Sequence, residues 1–400
     1  IWKGLVGSEM CIRDRGCVFR RPAAANPRHP SGGVTGVHVL WFTGRSMTDL
    51  CSTTQRALMT GMMERNLAIT FLNPDERVEL EGQNFTHVPL PHRARRGLQS
   101  RTLANAMVRW LKSNPPSGAV AVVEWRVAPW VVPELDRQGV PWALMDRSPP
   151  ADAGLLGRLQ WRGWKTAWRM ANRTQAPGFV VSPAHQAFVK GNTGHASTAV
   201  LQAGVDLSLF KPQPKRPTLT MVYHGRLDRH RGVLACAMLA QKARLEGLAV
   251  DVMFVGEGDL TPSLTALADA NDFIHLHPPM PQAALVPLLA SCHVGLLPMP
   301  KQTVWTLASP LKRSEYLACG LSVFGIDHEG HRLEGAHEDW FTLVPQEDFH
   351  LDGLERLQDR AIVEGQHVDH VRAFAEEHLG WSVSVNRLVE VLTTLHQKDS

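Results

Sequence analysis

The chain has 400 residues, of which 44% are hydrophobic and 20% are charged, and its net charge is +4. This composition suits a globular protein with enough apolar residues for two domain cores. No apolar run approaches the roughly 20 residues needed to span a bilayer. The six cysteines form no Cys-x-x-Cys pair, which argues against a disulfide framework or a zinc site. We therefore expect a cytoplasmic protein.

Charge is distributed unevenly along the chain. The residues through Val205 include 25 Lys or Arg and 13 Asp or Glu, whereas the remainder includes 17 and 25. A basic first half suits phosphates, whether of nucleic acid, an anionic membrane or a lipid-linked substrate. Because no nucleic-acid-binding module is visible, nucleic acid is not an expected partner.

The first 36 residues are expected to lie outside the fold. Residues 1–15, IWKGLVGSEMCIRDR, resemble adaptor-derived sequence, and residues 16–36 are rich in Pro, Ala, Arg and Gly. Residues 16–36 contain no apolar segment of the kind that a secretory signal needs, so such a signal is not expected there. We interpret them as an extraneous or disordered leader.

From Val37 the chain alternates apolar runs with helix-like segments. VHVLWFT (37–43) predicts a strand, Gly44 and Arg45 belong to the following loop, and a helix is expected from about Asp49 to Met63. Further strand-like runs are LAITFL (67–72), THVPL (86–90), AVAVVEW (119–125) and PWALMD (141–146). The alternation predicts an α/β domain whose parallel sheet binds ligands at the carboxyl ends of its strands.

One helix of this half combines tryptophans with cations. Trp161, Trp164 and Trp168 recur at three- and four-residue spacing among Arg158, Arg162, Lys165, Arg169 and Arg173. Such a helix suits peripheral docking on an anionic membrane, with the indoles at the headgroup boundary. In the alternative interpretation the indoles pack on the domain core, and the basic face is solvated.

The second half opens with a strand, a turn and a helix. The strand ends at His224, Gly225 forms the turn, and Arg226 and Arg231 precede a helix expected near Gly232. Two arginines beside a helix N-terminus suit a diphosphate, because guanidinium groups and backbone N–H groups share its charge. The Pro-containing segment 211–218 before this strand is interpreted as an interdomain linker.

Residues 308–327, ASPLKRSEYLACGLSVFGID, predict a capped helix followed by a buried strand. Ser309 is expected to cap the helix, with Pro310 at its first position and Gly320 closing its far end. Lys312 and Glu315 share a face near the N-terminus and suit an anionic, hydroxyl-bearing ligand. The alternative is an ordinary helix with a surface ion pair.

Several separated motifs together resemble the retaining nucleotide-sugar glycosyltransferases of family four. They are GVDLSLFKP (204–212), HGRLDRHRG (224–232), FVGEGDL (254–260), VGLLPMP (294–300), SPLKRSEYLACGLSVFGID (309–327) and Trp381 opening a final helix. The resemblance implies the GT-B fold, in which two Rossmann-like domains have parallel sheets facing across a cleft. The expected divisions are 37–208 for the acceptor-side domain, 209–380 for the donor domain, and 381–400 for a helix packing back toward the first domain.

The resemblance also implies roles for individual residues. Arg226 and Arg231 would stabilise the donor diphosphate during catalysis, and Glu315 would hold the ribose hydroxyls. The remaining donor-binding candidates are Lys312, Ser309, Pro310, Leu311, Gly225, Gly256 and Gly258. Leu307 replaces the first of the two glutamates usual in the family, which weakens any assignment of the sugar.

The first half contributes four further candidates. Asp146 stands where many relatives place a histidine near the donor sugar and is a catalytic candidate. Gly44, Arg45 and Glu124 are acceptor-side candidates, with Arg45 suited to an acceptor phosphate or carboxylate. Strand-end carboxylates such as Asp146 and Glu124 alternatively cap the following helix.

The function implied by the resemblance is transfer of a hexosyl or related sugar, with retention, from a UDP- or GDP-linked donor to an acceptor hydroxyl. No metal or cofactor is expected. A saccharide or lipid-linked acceptor of envelope polysaccharide or glycolipid synthesis is expected, at the inner face of an anionic membrane. The alternatives are a catalytically silent GT-B protein that binds a nucleotide sugar or a partner, and a nucleotide-sugar epimerase.

Overall fold

The computed structural model describes residues 36–48, 52–91, 94, 97–151 and 154–398. The predicted leader, apart from Gly36, and the start of the helix predicted from Asp49 lie outside these residues. Contacts divide the described chain into two units. The first comprises the residues up to Gln202 together with those from Trp381 onward, and the second comprises Ala203–Gly380.

Within the described residues, the first unit contains one sheet of seven parallel strands. The strands are β1 (His38–Phe42), β2 (Ala68–Asn73), β3 (Phe85–Pro89), β4 (Ala119–Glu124), β5 (Trp142–Met145), β6 (Gly178–Val180) and β7 (Thr198–Val200). The helices between them are α1 (Ser52–Met63), α2 (Gln99–Ser113), α3 (Ala128–Arg137), α4 (Gly154–Thr174) and α5 (Pro183–Thr193). The strand order is β3-β2-β1-β4-β5-β6-β7.

The described part of the second unit contains six parallel strands. They are β8 (Leu219–His224), β9 (Val250–Val255), β10 (Ile274–His277), β11 (Val294–Leu297), β12 (Ser322–Ile326) and β13 (Phe341–Val344), in the order β10-β9-β8-β11-β12-β13. Its helices are α6 (Val233–Leu245), α7 (Thr261–Ala270), α8 (Gln282–Ala290), α9 (Thr303–Thr306), α10 (Leu311–Ala318), α11 (Phe349–Leu357), α12 (Arg360–Val363) and α13 (Val368–His378). The final helix, α14 (Trp381–Gln397), belongs to the first unit.

The first sheet is buried on both faces, which explains why its strands are nearly continuous apolar runs. Leu40 and Phe42 pack into a core shared with α2, α3 and α4, while Val39 and Trp41 pack into a second core with α1 and α14. Gly61 of α1 admits α14, because a Cβ there would lie 2.5 Å from Val385 Cγ2. The last helix of the chain thus completes the layer begun by α1.

The segment after Gln202 packs in the second unit, so the contact boundary precedes the predicted one at residue 208. Phe210 is 2% exposed, and Arg372 of α13 donates hydrogen bonds to the carbonyl oxygens of Leu207 and Phe210. Side chains of α13 therefore hold this segment against the second unit.

Both sheets reverse their strand order at one point, between β1 and β4 and between β8 and β11. Open parallel sheets bind ligands beyond the carboxyl ends of the strands at such switch points. The loops after β1, β4, β8 and β11 are therefore the expected ligand-binding loops. Among the described residues, no helix combines the length and apolar character of a transmembrane span.

Candidate functional site

The turn after β8 contains the two arginines predicted to bind phosphate. Arg226 donates from Nε and Nη2 to the two carboxylate oxygens of Asp228, at 3.2 and 3.1 Å. Arg231 Nε lies 3.8 Å from Asp228 Oδ2, and its guanidinium carbon lies 4.6 Å from the centroid of the Trp305 ring. The sequence analysis did not single out Asp228. Its position two residues after Arg226 and three before Arg231 was the signal that could have predicted the pairing. This carboxylate orients both cations.

The two arginines differ in accessibility. The Arg226 side chain is 35% exposed, whereas that of Arg231 is 4% exposed. Arg226 can therefore meet a phosphate arriving from solvent with little rearrangement. Arg231, enclosed between Asp228 and Trp305, instead contributes a fixed positive charge.

Two predicted donor-loop glycines permit the loops after β8 and β9 to touch. Gly256 has φ +145°, and a Cβ there would lie 1.9 Å from the carbonyl oxygen of Gly225. A Cβ on Gly258 would lie 2.3 Å from the carbonyl oxygen of Leu227. Only glycine fits such backbone contacts. The glycines therefore set the position of the arginine turn.

The helix predicted after Ala308 begins one residue later than expected. Pro310 is the N-cap of α10, Leu311 is its first residue, and no side chain among the described residues caps it. The predicted serine cap is wrong, because Ser309 Oγ instead accepts the N–H of Ala203 at 2.9 Å. Gly320 adopts φ +69°, the left-handed conformation expected after the helix.

Lys312 and Glu315 are buried, at 6% and 7% exposure, so the alternative of a surface ion pair is wrong. Lys312 Nζ lies 4.8 Å from the centroid of the Tyr223 ring. Glu315 Oε2 lies 3.0 Å from His224 Nε2. Both side chains therefore turn to the carboxyl end of β8, beside the arginine turn. His224 was not singled out from the sequence, where it is only the last residue of a strand.

A histidine pair follows β12, with the ring centroids of His328 and His331 3.7 Å apart and the ring planes tilted by 34°. His328 Nε2 lies 3.2 Å from the Met299 carbonyl oxygen, and His331 Nδ1 lies 2.7 Å from that of Ile326. Burial lowers the pKa of both imidazoles, most strongly that of His331, so both are neutral near pH 7. Their spacing in the sequence, His-x-x-His, is a signal that sequence reasoning passed over.

Several buried polar atoms at this edge of the second sheet have no hydrogen-bond partner. They are His224 Nδ1, Trp305 Nε1, His328 Nδ1 and His331 Nε2. A buried polar atom left unpaired is costly, so such a concentration calls for an explanation. A ligand that exchanges hydrogen bonds with this edge would provide one.

An open groove of about 910 Å³ adjoins the arginine turn. Its lining residues are Arg226, Glu257, Gly258, Thr261, Pro262, Thr265, Ala266 and Asp269. Small-molecule sites typically occupy roughly 300 to 1,000 Å³. The groove is therefore large enough for part of a nucleotide beside the exposed Arg226.

In the first unit, Glu124 connects the loops at the switch point. Its carboxylate accepts the Thr43 hydroxyl and the Gly44 N–H, both at 2.8 Å, and pairs with Arg45 and Arg126. Burial raises the pKa of Glu124, but the two arginines and these hydrogen bonds outweigh it and lower the pKa to about 2. These donors already occupy the carboxylate. The geometry thus shows Glu124 orienting the predicted acceptor-side loop of Gly44 and Arg45.

Asp146, at the end of β5, is completely buried. Its Oδ2 accepts the indole N–H groups of Trp164 and Trp168 at 2.6 and 3.0 Å, and lies 3.3 Å from His185 Nε2. The enclosed carboxylate anchors α4, which leaves its predicted catalytic role without support from the geometry.

No group of three or more His, Cys, Asp or Glu side chains in the described part of the chain is arranged to hold a metal ion. The sequence-based expectation of metal independence stays a prediction.

Solved structures share the fold of this chain. Sucrose-phosphate synthase from Thermosynechococcus elongatus superposes with a TM-score of 0.71 at 15% identity, covering 90% of this chain and 99% of the other. A glycosyltransferase from Rickettsia africae gives 0.68 at 10% identity, covering 91% and 99%. HepE from Anabaena in complex with UDP gives 0.63 at 14% identity, covering 90% and 99%. Neither the family models nor the curated proteins include a match.

These likenesses confirm the predicted fold class. The chain has the GT-B fold, with a Rossmann-like parallel sheet in each unit. Identities of 10% to 15% establish the fold and leave the activity to be argued from the site.

Proposed function

We propose that this chain is a retaining glycosyltransferase that moves a hexosyl or related sugar from a UDP- or GDP-linked donor to an acceptor hydroxyl. The observation that carries the proposal is the group of cations, buried Glu315 and unpaired polar atoms at the carboxyl edge of the second sheet. Proteins of the same fold support it, since one is named a glycosyltransferase and another holds UDP.

The donor would lie across the turn after β8 and the start of α10. Arg226 would exchange part of its pairing with Asp228 for the diphosphate, while Arg231 and the uncapped start of α10 add positive potential. Glu315, 3.0 Å from His224, would accept the ribose hydroxyls. Lys312 would complete the positive lining.

Charge develops on the diphosphate as the glycosidic bond breaks, and these preorganised cations would stabilise it. No carboxylate is placed as a nucleophile in this assignment, because Asp146 and Glu124 are enclosed by their own partners. Attack by the acceptor on the face that the phosphate leaves is therefore the simpler route to retention. The scheme uses no bound metal or cofactor.

The acceptor is proposed to be a saccharide or lipid-linked molecule of envelope polysaccharide or glycolipid synthesis, with the protein in the cytoplasm at the inner face of the membrane. Arg45 beside Glu124 would meet an acceptor phosphate or carboxylate. The described cysteines Cys236, Cys292 and Cys319 are free and buried, which agrees with a reducing compartment.

A catalytically silent protein of the same fold is the second candidate. It is favoured by Leu307, a buried apolar side chain where the resembled family usually has a carboxylate. No observation on the described residues favours the epimerase alternative.

The test begins with thermal unfolding of the purified chain in UDP and in GDP, followed by a panel of nucleotide sugars. We expect one nucleotide to raise the melting temperature, and its sugar conjugate to undergo slow hydrolysis or transfer. Glu315→Gln should weaken nucleotide binding, while Glu347→Gln at an exposed position should not.

If neither nucleotide alters the melting curve, the donor site is assigned wrongly. Binding without turnover of any donor would establish the silent protein instead.

A further inference from the structure

The outer face of α4 presents only cations among its charged groups. The helix sequence, GLLGRLQWRGWKTAWRMANRT, contains no Asp or Glu. Five cations recur at three- and four-residue spacing, so they share one face, and all are exposed: Arg158, Arg162, Lys165, Arg169 and Arg173. No acidic residue of the helix offsets them.

Two of the three tryptophans face the domain core. Trp164 and Trp168 are fully buried against the sheet, and the Trp161 ring packs edge-on against Trp164, with centroids 5.4 Å apart. Membrane contact through these indoles, one of the two interpretations of the sequence, is therefore wrong for Trp164 and Trp168, and the alternative of packing on the domain core is confirmed for both. The apolar groups that do reach solvent are Leu155, 73% exposed, and Leu159, 49% exposed.

The helices packed beside α4 also have a net positive charge. Helices α2, α3, α4 and α5 pack in sequence along one face of the sheet and together contain ten Lys or Arg but only two acidic residues, Glu134 and Asp136. Glu134 pairs with Arg137, and Asp136 accepts the Trp142 indole N–H. On the other face, α1 and α14 contain two cations and one acid. The positive excess therefore lies on one side of the first unit.

The exposed leucines lie at the end of this layer where the acceptor-side loops are. Helices α2 and α4 follow β3 and β5, so both begin at the carboxyl edge of the sheet. Leu98, 49% exposed, directly precedes α2, and a Cβ on Gly97 would lie 3.2 Å from Leu156 Cδ2 of α4. The two helix starts therefore adjoin, and their exposed leucines form an apolar end on a basic layer.

We propose that this face, Leu98, Leu155 and Leu159 with the five α4 cations, docks on an anionic lipid bilayer. Cations attract anionic headgroups over a Debye length, while leucines enter the boundary below them. The inference deepens the proposed function and rests on it for the lipid-linked acceptor: docking at this edge places the loop of Gly44 and Arg45 near the membrane. The exposed leucines at the starts of α2 and α4 favour a bilayer over nucleic acid, because nucleic acid would bind the cations without needing apolar side chains.

The test is flotation of the full chain with vesicles of phosphatidylcholine alone or mixed with phosphatidylglycerol. We expect binding only to the mixed vesicles, falling as salt rises. The variant Leu155→Ser with Leu159→Ser, and the variant with Arg158, Arg162, Lys165 and Arg169 changed to Gln, should each reduce vesicle binding by roughly tenfold or more.

Matched controls are Leu245→Ser with Leu351→Ser, exposed leucines of the second unit, and Arg56→Gln with Arg387→Gln on the opposite layer. These should bind vesicles as the unchanged chain does. Melting temperatures of all variants establish that they are folded.

Equal flotation with neutral vesicles, or no effect of the α4 variants, would overturn the proposal. So would a vesicle affinity matched by a single-stranded oligonucleotide and insensitive to the leucine variant, which would indicate a general polyanion surface. Nucleotide-induced melting shifts on the same samples separate the two hypotheses. A shift without flotation overturns docking alone, whereas flotation without any shift or turnover overturns the transferase alone.

Discussion

Glu124 shows how one buried carboxylate can hold together the loops at the switch point of a sheet. It is 3% exposed and collects a hydroxyl, a backbone N–H and two guanidinium groups from both sides of the switch point. Breaking a buried pair by removing one partner is far more damaging than the net value of the pair, because the other charge is left uncompensated. Removing Glu124 would take this shared carboxylate from Arg45 and Arg126.

The low pKa of Glu124 predicts an acid-dependent contribution to stability. The folded-state pKa is about 2 against an ordinary 4.5, so the contribution is complete above pH 4.5 and is lost as the pH falls toward 2. Its size is about 3 kcal/mol at neutral pH, since each pKa unit corresponds to about 1.4 kcal/mol. Glu124→Gln should therefore lower the free energy of unfolding at pH 7, with the difference from the unchanged chain shrinking below pH 4.5.

Urea unfolding at a series of pH values measures this difference. A gap that persists unchanged at pH 3 would show that the carboxylate charge is not its source.

A substitution of Asp146 can distinguish a stabilising role from the catalytic role predicted from the sequence. Asp146→Asn retains an oxygen for the indole N–H groups of Trp164 and Trp168 but removes the charge beside His185. We expect a loss of about 1 to 3 kcal/mol in the free energy of unfolding, because hydrogen bonds to charged groups are the stronger ones. Sugar transfer per folded molecule should change little.

The measurements are urea unfolding and initial rates with saturating donor. A stable variant that has lost transfer would instead restore the catalytic role predicted from the sequence.

At the scale of elements, the loops after β8 and β9 are held together by backbone contact. A substitution of Gly256 therefore tests whether this contact positions the arginine turn. Gly256→Ala would place a methyl group 1.9 Å from the Gly225 carbonyl oxygen and require φ near +145° of an alanine. The arginine turn must then move, so we expect lost nucleotide binding together with lower stability.

Gly247→Ala is the matched control, because Gly247 also has a positive φ, +83°, but nothing lies within 4 Å of its Cβ position. It should cost about 1 to 2 kcal/mol of stability from backbone strain and leave nucleotide affinity unchanged. Isothermal titration with UDP or GDP compares the two variants. Equal affinities would mean that the loop contact does not position the donor ligands.

The element α4 shows why an amphipathic pattern has to be resolved by packing. Its tryptophans and cations predicted a membrane helix or a core helix from the same spacing. The structure buries Trp164 and Trp168 because Asp146 accepts both indole N–H groups inside the unit. The exposed face therefore has leucines and cations.

At the scale of the whole molecule, each unit has its own sheet and core. Protection of backbone amides from hydrogen exchange can therefore be assigned to one unit or the other. Donor nucleotide should slow amide exchange in residues 224–232, 256–261 and 309–316, all in the second unit. Amides in β1 and β4 of the first unit should exchange as before, because nucleotide alone has no assigned ligand there. Protection confined to the first unit would contradict the donor assignment.

Much of the architecture followed from the sequence. Strand runs such as 37–43 and 250–255 are apolar throughout because parallel strands are buried on both faces, and they match β1 and β9 within a residue at each end. Helix ends were less predictable. Ser309 does not cap α10, because its hydroxyl oxygen accepts the N–H of Ala203, a residue distant in sequence.

The sequence by itself determined the alternation of strands and helices, the two parallel sheets and the arginine turn, since these depend on local periodicity and on glycine placement. Only the tertiary structure decided which side chains meet across elements: His224 with Glu315, and Asp146 with the indoles of α4. The reason is physical. Hydrophobic pattern specifies which face of an element is buried, but the partner of a buried polar group is set by the packing of chain segments far apart in sequence.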